Sequence, residues 1–255
     1  MPFAPALLAA TLAVVFLAAL VRTTWGFGDA VVAIPLLSLL VSMQVASPML
    51  VMVSIVLSLL LLRRGMSLLD FGVIARLLLG ALAGIPLGLL VLTDLPESLA
   101  RKGLGGVLLG FAIWSLIRAR RAKPALAREP TPPLALAKAL PLDLGFGVLV
   151  GACSAAFDIS GPVLLIHATA RRWTPEQLRM NLQAVFLPLG LLTMTGHALS
   201  GLWTRDVLLL AAWCLPVVML ARVFGERLRV RLEGQRGVVV LYLLIFALGV
   251  LMLAV

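Results

Sequence analysis

The sequence predicts an all-α polytopic membrane protein made of two inverted five-segment repeats. Each repeat opens with a broken or re-entrant helical hairpin. Three observations predict this: the composition, the number and length of the apolar runs, and the placement of the basic residues between them.

Of 255 residues, 62% are hydrophobic and only 13% are charged, with a mean hydropathy of +1.13. Soluble domains are about 45–50% apolar and about 25% charged. A chain of this length has too little polar surface to cover such an apolar content in water. Ten apolar segments can be marked, approximately 5–21, 30–43, 48–62, 71–92 and 103–117, then 140–156, 160–170, 180–200, 207–224 and 237–255. Several approach the roughly 20 apolar residues a spanning helix needs. They do not alternate polar and apolar residues, as barrel strands would. Helices satisfy their own backbone hydrogen bonds in lipid, so a helical bundle follows.

The segments can be justified in chain order. Segment 5–21 has no Lys or Arg before it, so it is read as a membrane helix rather than a signal peptide. Segment 30–43 is short and follows Trp25-Gly26-Phe27-Gly28-Asp29. Gln44 and Ser47-Pro48 read as the turn before segment 48–62. Segments 71–92 and 103–117 complete the first half. A Pro- and Arg-rich stretch over 118–139, with Pro124, Pro130, Pro132 and Pro133, reads as a linker. The partition is therefore 1–117 as first repeat, 118–139 as cytoplasmic linker and 140–255 as second repeat. In the second half, the short segment 160–170 follows Ala156-Phe157-Asp158-Ile159 and begins Ser160-Gly161-Pro162, mirroring the first break.

Charge sets the orientation. Sixteen Lys and Arg residues fall in odd-numbered connectors, counting Arg22, Arg63, Arg64, Arg171, Arg172 and Arg179 among them, and three fall in even ones. The positive-inside rule places the odd connectors in the cytoplasm and both termini outside. The net charge of +10 is thus explained by anionic headgroups, and no nucleic-acid partner is expected. Arg76 and Arg222 lie within segments near their cytoplasmic ends and are expected to snorkel. Five segments per half makes the second half enter from the opposite side, which is the topology of an inverted repeat.

The two breaks carry the functional reading. Short helices at membrane depth are tolerated where they meet protein or a wet cavity, and broken helices of this kind form transporter binding sites. Helix N-termini attract anions through free amides and the helix dipole. Glycine allows close approach to the backbone. Trp25, Gly26, Gly28, Ser160 and Gly161 are the substrate-binding candidates at the breaks; the plain alternative is that the glycines serve helix packing. Asp29 and Asp158 read either as helix caps or as proton-coupling sites. Arg179 and Gln183, four apart on one helix face, could hold an anion in a planar fork or anchor the interface. His167 and His197 read as proton relays or as satisfied buried histidines. Cys153 and Cys214 lack metal-ligand spacing and read as small buried apolar residues. No metal, cofactor or catalytic residue is expected.

The stretch Gly26-Phe27-Gly28-Asp29-Ala30 leading to Pro35-Leu36-Leu37, and Ser160-Gly161-Pro162-Val163-Leu164-Leu165, resemble the two glycine-led half-motifs of the TauE/SafE sulfite exporter family. Arg179-x-Asn181-x-Gln183 before a Phe-containing helix resembles that family's second-half pattern. The chain departs from it where consecutive glycines are replaced by Gly28-Asp29-Ala30 and Ala155-Ala156-Phe157. The resemblance implies a bacterial cytoplasmic-membrane transporter of small anions such as sulfite, sulfonates or organic acids. Without a Gly-x-x-x-x-Gly-Lys-[Ser/Thr] loop, the expectation is secondary transport in a lipid bilayer, with homo-oligomerisation left open. Two alternatives stand beside it. One is transport of a small carboxylate. The other is a membrane-embedded lipid-phosphate enzyme, which would call for clustered acids and an Arg/Ser phosphate cradle.

Overall fold

The structure is a computed structural model that describes residues 4–62, 69–121, 136–171, 173–232 and 235–254. Arg63, Arg64, Lys123, Arg128, Arg172 and the four linker prolines lie outside the described residues, as do the side chains of Arg121, Lys138, Arg231 and Arg236. Ten helices account for the described chain, and no strand occurs among the described residues. They are α1 (Pro5–Trp25), α2 (Asp29–Leu37), α3 (Met43–Leu61), α4 (Phe71–Asp94), α5 (Glu97–Arg121), α6 (Leu136–Phe157), α7 (Gly161–Arg171), α8 (Pro175–Leu199), α9 (Arg205–Leu232) and α10 (Gln235–Ala254).

Eight of these helices are long and apolar enough to cross a membrane; α2 and α7 are not among them. With 9 and 11 residues, α2 and α7 rise only about 14 Å and about 17 Å at 1.5 Å per residue. The outward faces of the long helices are apolar. Leu79, Leu82, Leu87 and Leu90 of α4 and Leu243 and Leu244 of α10 are exposed, as lipid-facing side chains are.

Several boundaries differ from the sequence expectation. Gln44, Ser47 and Pro48 lie inside α3 rather than in a turn. The helix starts earlier because the Ser42 carbonyl accepts from Val45 and Ala46 and the Met43 amide donates to Glu97 at 3.3 Å. Pro48 costs one intrahelical bond, which a packed membrane helix tolerates. Helix α8 starts at Pro175 rather than near 180. Thr174 caps it in a reciprocal capping box with Gln177, so Arg179 lies within the helix and not in a connector.

Helices α4 and α6 make the closest crossing. Gly80, Gly84 and Gly88 recur every four residues on one face of α4; Gly80 meets Gly147 of α6, Gly84 meets Val148 and Ala152, and Gly88 meets Ala152 and Ala155, while Gly151 of α6 meets Ala81. A Cβ on Gly84 would lie 2.0 Å from the Val148 carbonyl oxygen, and one on Gly151 would lie 2.4 Å from that of Ala81. Small residues at this spacing let the backbones touch. Elsewhere α1 packs on α9, α5 on α10, and α3 on α8 and α9; the short α2 lies on α1 and α3, and α7 on α6 and α8. Cys214 is buried, Cys153 is half-buried, and both are free.

Candidate functional site

The first break is built by glycine conformation. Helix α1 ends at Trp25, and Gly26 adopts φ +90°, donating its amide to the Arg22 carbonyl at 2.7 Å. Gly28 adopts φ +100° at the N-terminus of α2. These are left-handed conformations that glycine takes without a Cβ penalty. The second break uses Asp158 instead, at φ 54°, an angle Asp tolerates better than most residues. The Asp158 amide donates to Ser154 and the Leu164 amide to the Ser160 carbonyl, so α6 closes and α7 opens within three residues.

The two breaks face each other. A Cβ on Gly161 would lie 3.3 Å from the Phe27 side chain, so the first break packs directly on the second. Between them is a small cavity. Arg22, Gly28, Asp29, Ser54, Asp158 and Ser160 line its polar side, and Gly161 and Phe186 also reach it. The first-turn amides of α2 and α7 have no intrahelical partner, and both helix N-termini border this space.

Arg22 is the centre of the charge arrangement. It was counted as a connector cation, but it lies in the last turn of α1 and is only 2% exposed. The correction has a clear cause. Its guanidinium pairs with Asp29 seven residues on, at 2.6 Å. It donates to Ser58 and to Gln183 Oε1 at 3.1 Å, and it sits 4.7 Å over the Phe186 ring. Its Nε has no hydrogen-bond partner among the described residues. Ser54 of α3 lies between the two acids, 2.9 Å from Asp29 Oδ2 and 2.8 Å from Asp158 Oδ2.

The sequence candidates therefore divide. Gly28, Asp29, Asp158, Ser160 and Gly161 come together in the cavity wall. Arg179 and Gln183 stand behind the first break. Arg179 donates to the Thr24 carbonyl at 2.8 Å and Gln183 to the Gly26 carbonyl at 2.6 Å, so they hold the carbonyls left open where α1 ends. Gly26 belongs to that same layer, with Arg179 Cγ 3.3 Å from where its Cβ would be. Trp25 is partly buried and packs on the core; it does not line the cavity. Arg22, Ser54 and Phe186 were not singled out from the sequence. The separation of seven between Arg22 and Asp29 across a glycine break was the available signal for the first.

A second buried polar cluster was also missed. Asp143 of α6 is fully buried and receives Arg171 of α7, Arg76 of α4 at 2.7 Å and His167 Nε2 at 2.7 Å. Arg76 is thus not a snorkelling residue: a buried carboxylate across the tight α4/α6 crossing captures it. Arg222 pairs with Glu226 one turn on. His197 contacts the Ala155 carbonyl at 2.8 Å. Among the described residues no group of three or more His, Cys, Asp or Glu could hold a metal ion.

Comparison with known proteins gives one match. A family model described as sulfite exporter TauE/SafE covers residues 11–252, nearly the whole chain. No curated protein and no solved structure matches.

Proposed function

The chain belongs to the TauE/SafE sulfite exporter family, and on that premise we propose that it is a secondary transporter carrying sulfite or an organosulfonate across the cytoplasmic membrane by alternating access. One observation carries the reading of the site. The N-termini of two short helices, one from each half of the chain, border a single cavity that also holds a buried guanidinium. An oxyanion there would accept from first-turn amides of α2 and α7, near the cation of Arg22.

The packing supports two inverted repeats, 1–117 and 140–255, joined by the linker 118–139. Let each helix be exchanged for the one five places along. The pair α4 with α6 becomes α9 with α1, and α3 with α9 becomes α8 with α4. The pair α1 with α2 becomes α6 with α7, while α5 with α10 and α3 with α8 map onto themselves. All of these pairs are packed. Two related halves around a shared site are the arrangement in which one half rocks against the other.

The test is counterflow in proteoliposomes loaded in turn with sulfite, sulfoacetate, taurine, thiosulfate and simple carboxylates. Sulfite or a sulfonate should exchange, and Arg22→Lys should slow exchange because a point charge does not reproduce the planar fork. Exchange of a carboxylate alone would move the substrate class to organic acids. No exchange of any member would overturn the reading.

A further inference from the structure

The cavity contains more acid than its cation can neutralise, and the geometry fixes where the excess is resolved. Asp29 Oδ2 accepts from Arg22 at 2.6 Å and lies 2.9 Å from Ser54 Oγ. Asp158 Oδ2 lies 2.8 Å from the same Ser54 oxygen, and Ser54 is its only side-chain hydrogen-bond partner among the described residues. A serine hydroxyl has one proton to donate. It can satisfy one carboxylate; the second contact requires the other acid to donate to the serine oxygen. Asp29 is held by a charge-assisted bond from Arg22 and is the ionised member. Asp158 has no cation in contact among the described residues.

We propose that Asp158 carries a proton, donated to Ser54 Oγ, while Ser54 donates to ionised Asp29, so that a single proton is bound between the two breaks. The groups facing it from each element are few. Helix α1 supplies Arg22 and α2 supplies Asp29. From α3 comes Ser54, from α6 Ser154, from the residue before α7 Ser160, and from α8, among the described residues, Phe186, Leu189 and Gly190. Arg22 and Asp29 cancel, so the state of Asp158 sets the charge of the cavity. With the proton on, the cavity is neutral and the two helix N-termini dominate. With it off, two carboxylates face one guanidinium and an anion is repelled. Proton and anion therefore bind in concert, each raising the affinity of the other by the same factor. This consequence rests on the anion reading of the cavity; the position of the proton does not.

The first measurement is infrared spectroscopy of the full chain in lipid at neutral pH, in the region of the protonated carboxyl stretch. The other described acids are ion-paired or exposed, so the expected band belongs to Asp158. It should vanish in Asp158→Asn and shift in Ser54→Ala, which removes the acceptor of its proton. A wild-type protein without the band overturns the proposal, and so does a band unchanged in either variant. If Asp158→Asn does not fold, Ser54→Ala alone decides. The second measurement is the affinity for methanesulfonate, an anion whose charge is constant over the range, against pH. Wild-type affinity should fall about tenfold per pH unit once Asp158 ionises, whereas Asp158→Asn should bind independently of pH, exchange substrate, and fail to accumulate it down a pH gradient. A pH-dependent affinity retained in Asp158→Asn overturns the coupling. No anion binding at any pH, with the infrared band present, removes the anion reading and leaves the proton site standing.

Discussion

At the scale of the residue, the breaks depend on what each position can bear. Gly161 is where the second break touches Phe27, with 3.3 Å available to a Cβ. Gly161→Val adds two further methyls in that gap and should abolish transport while the protein still elutes as a folded species; normal flux would contradict the close-approach role. Asp143 makes a different demand. It is fully buried against Arg76, Arg171 and His167, and removing its charge leaves two guanidiniums facing each other. Asp143→Asn should destabilise the protein by about 3 kcal/mol, read as a lowered unfolding midpoint in detergent; an unchanged midpoint would contradict it. Legibility followed chemistry here. Gly28, Asp29, Asp158, Ser160 and Gly161 stood out because acids are rare in apolar runs and here stand beside small residues where a run is broken. Arg22 did not, because an arginine at the end of an apolar run also has an interfacial meaning. Ser54 did not because a lone serine in a membrane helix carries no signal until its partners are in place.

At the scale of the element, the number of helices was readable and their ends were not. Ten segments were expected and ten helices occur among the described residues, because apolar runs separated by charge map directly onto membrane helices. The start of α3 was misplaced by five residues. Ser42 and Glu97 supply the first acceptors there, and Glu97 is 54 positions away, beyond any local pattern. The α4/α6 crossing gives the element-scale prediction. Gly84→Leu puts a side chain where a Cβ already falls 2.0 Å from backbone, so the helices must separate. Loss of stable protein, or a cost well above the 1–3 kcal/mol typical of overpacking, is expected from thermal unfolding. Gly103→Leu on α5, where a Cβ meets nothing within 4 Å, is the control and should be neutral. Equal effects at the two positions would remove the crossing as the cause.

At the scale of the whole molecule, orientation rests on the distribution of charge. Besides Arg22 in α1 and Arg179 in α8, the helices take in Arg118, Arg120 and Arg121 (α5), Lys138 (α6), Arg171 (α7), Arg227, Arg229 and Arg231 (α9) and Arg236 (α10); we propose that those at the helix ends still mark the cytoplasmic side, with 118–139 inside and both termini outside. Cysteines introduced at 118–139 should resist a membrane-impermeant reagent in intact cells, while cysteines near either terminus should react; the reverse would overturn the orientation. The meeting of the two halves was legible only as a symmetry of motifs, since the contact of Phe27 with Gly161 spans more than half the chain. That meeting is the centre of the account, and a structure determined with a sulfonate bound tests it most directly. The sulfonate is expected between the α2 and α7 N-termini, within hydrogen-bond reach of their first-turn amides and beside Arg22. A sulfonate bound instead at the Asp143 cluster, with the space between the breaks empty, would contradict it.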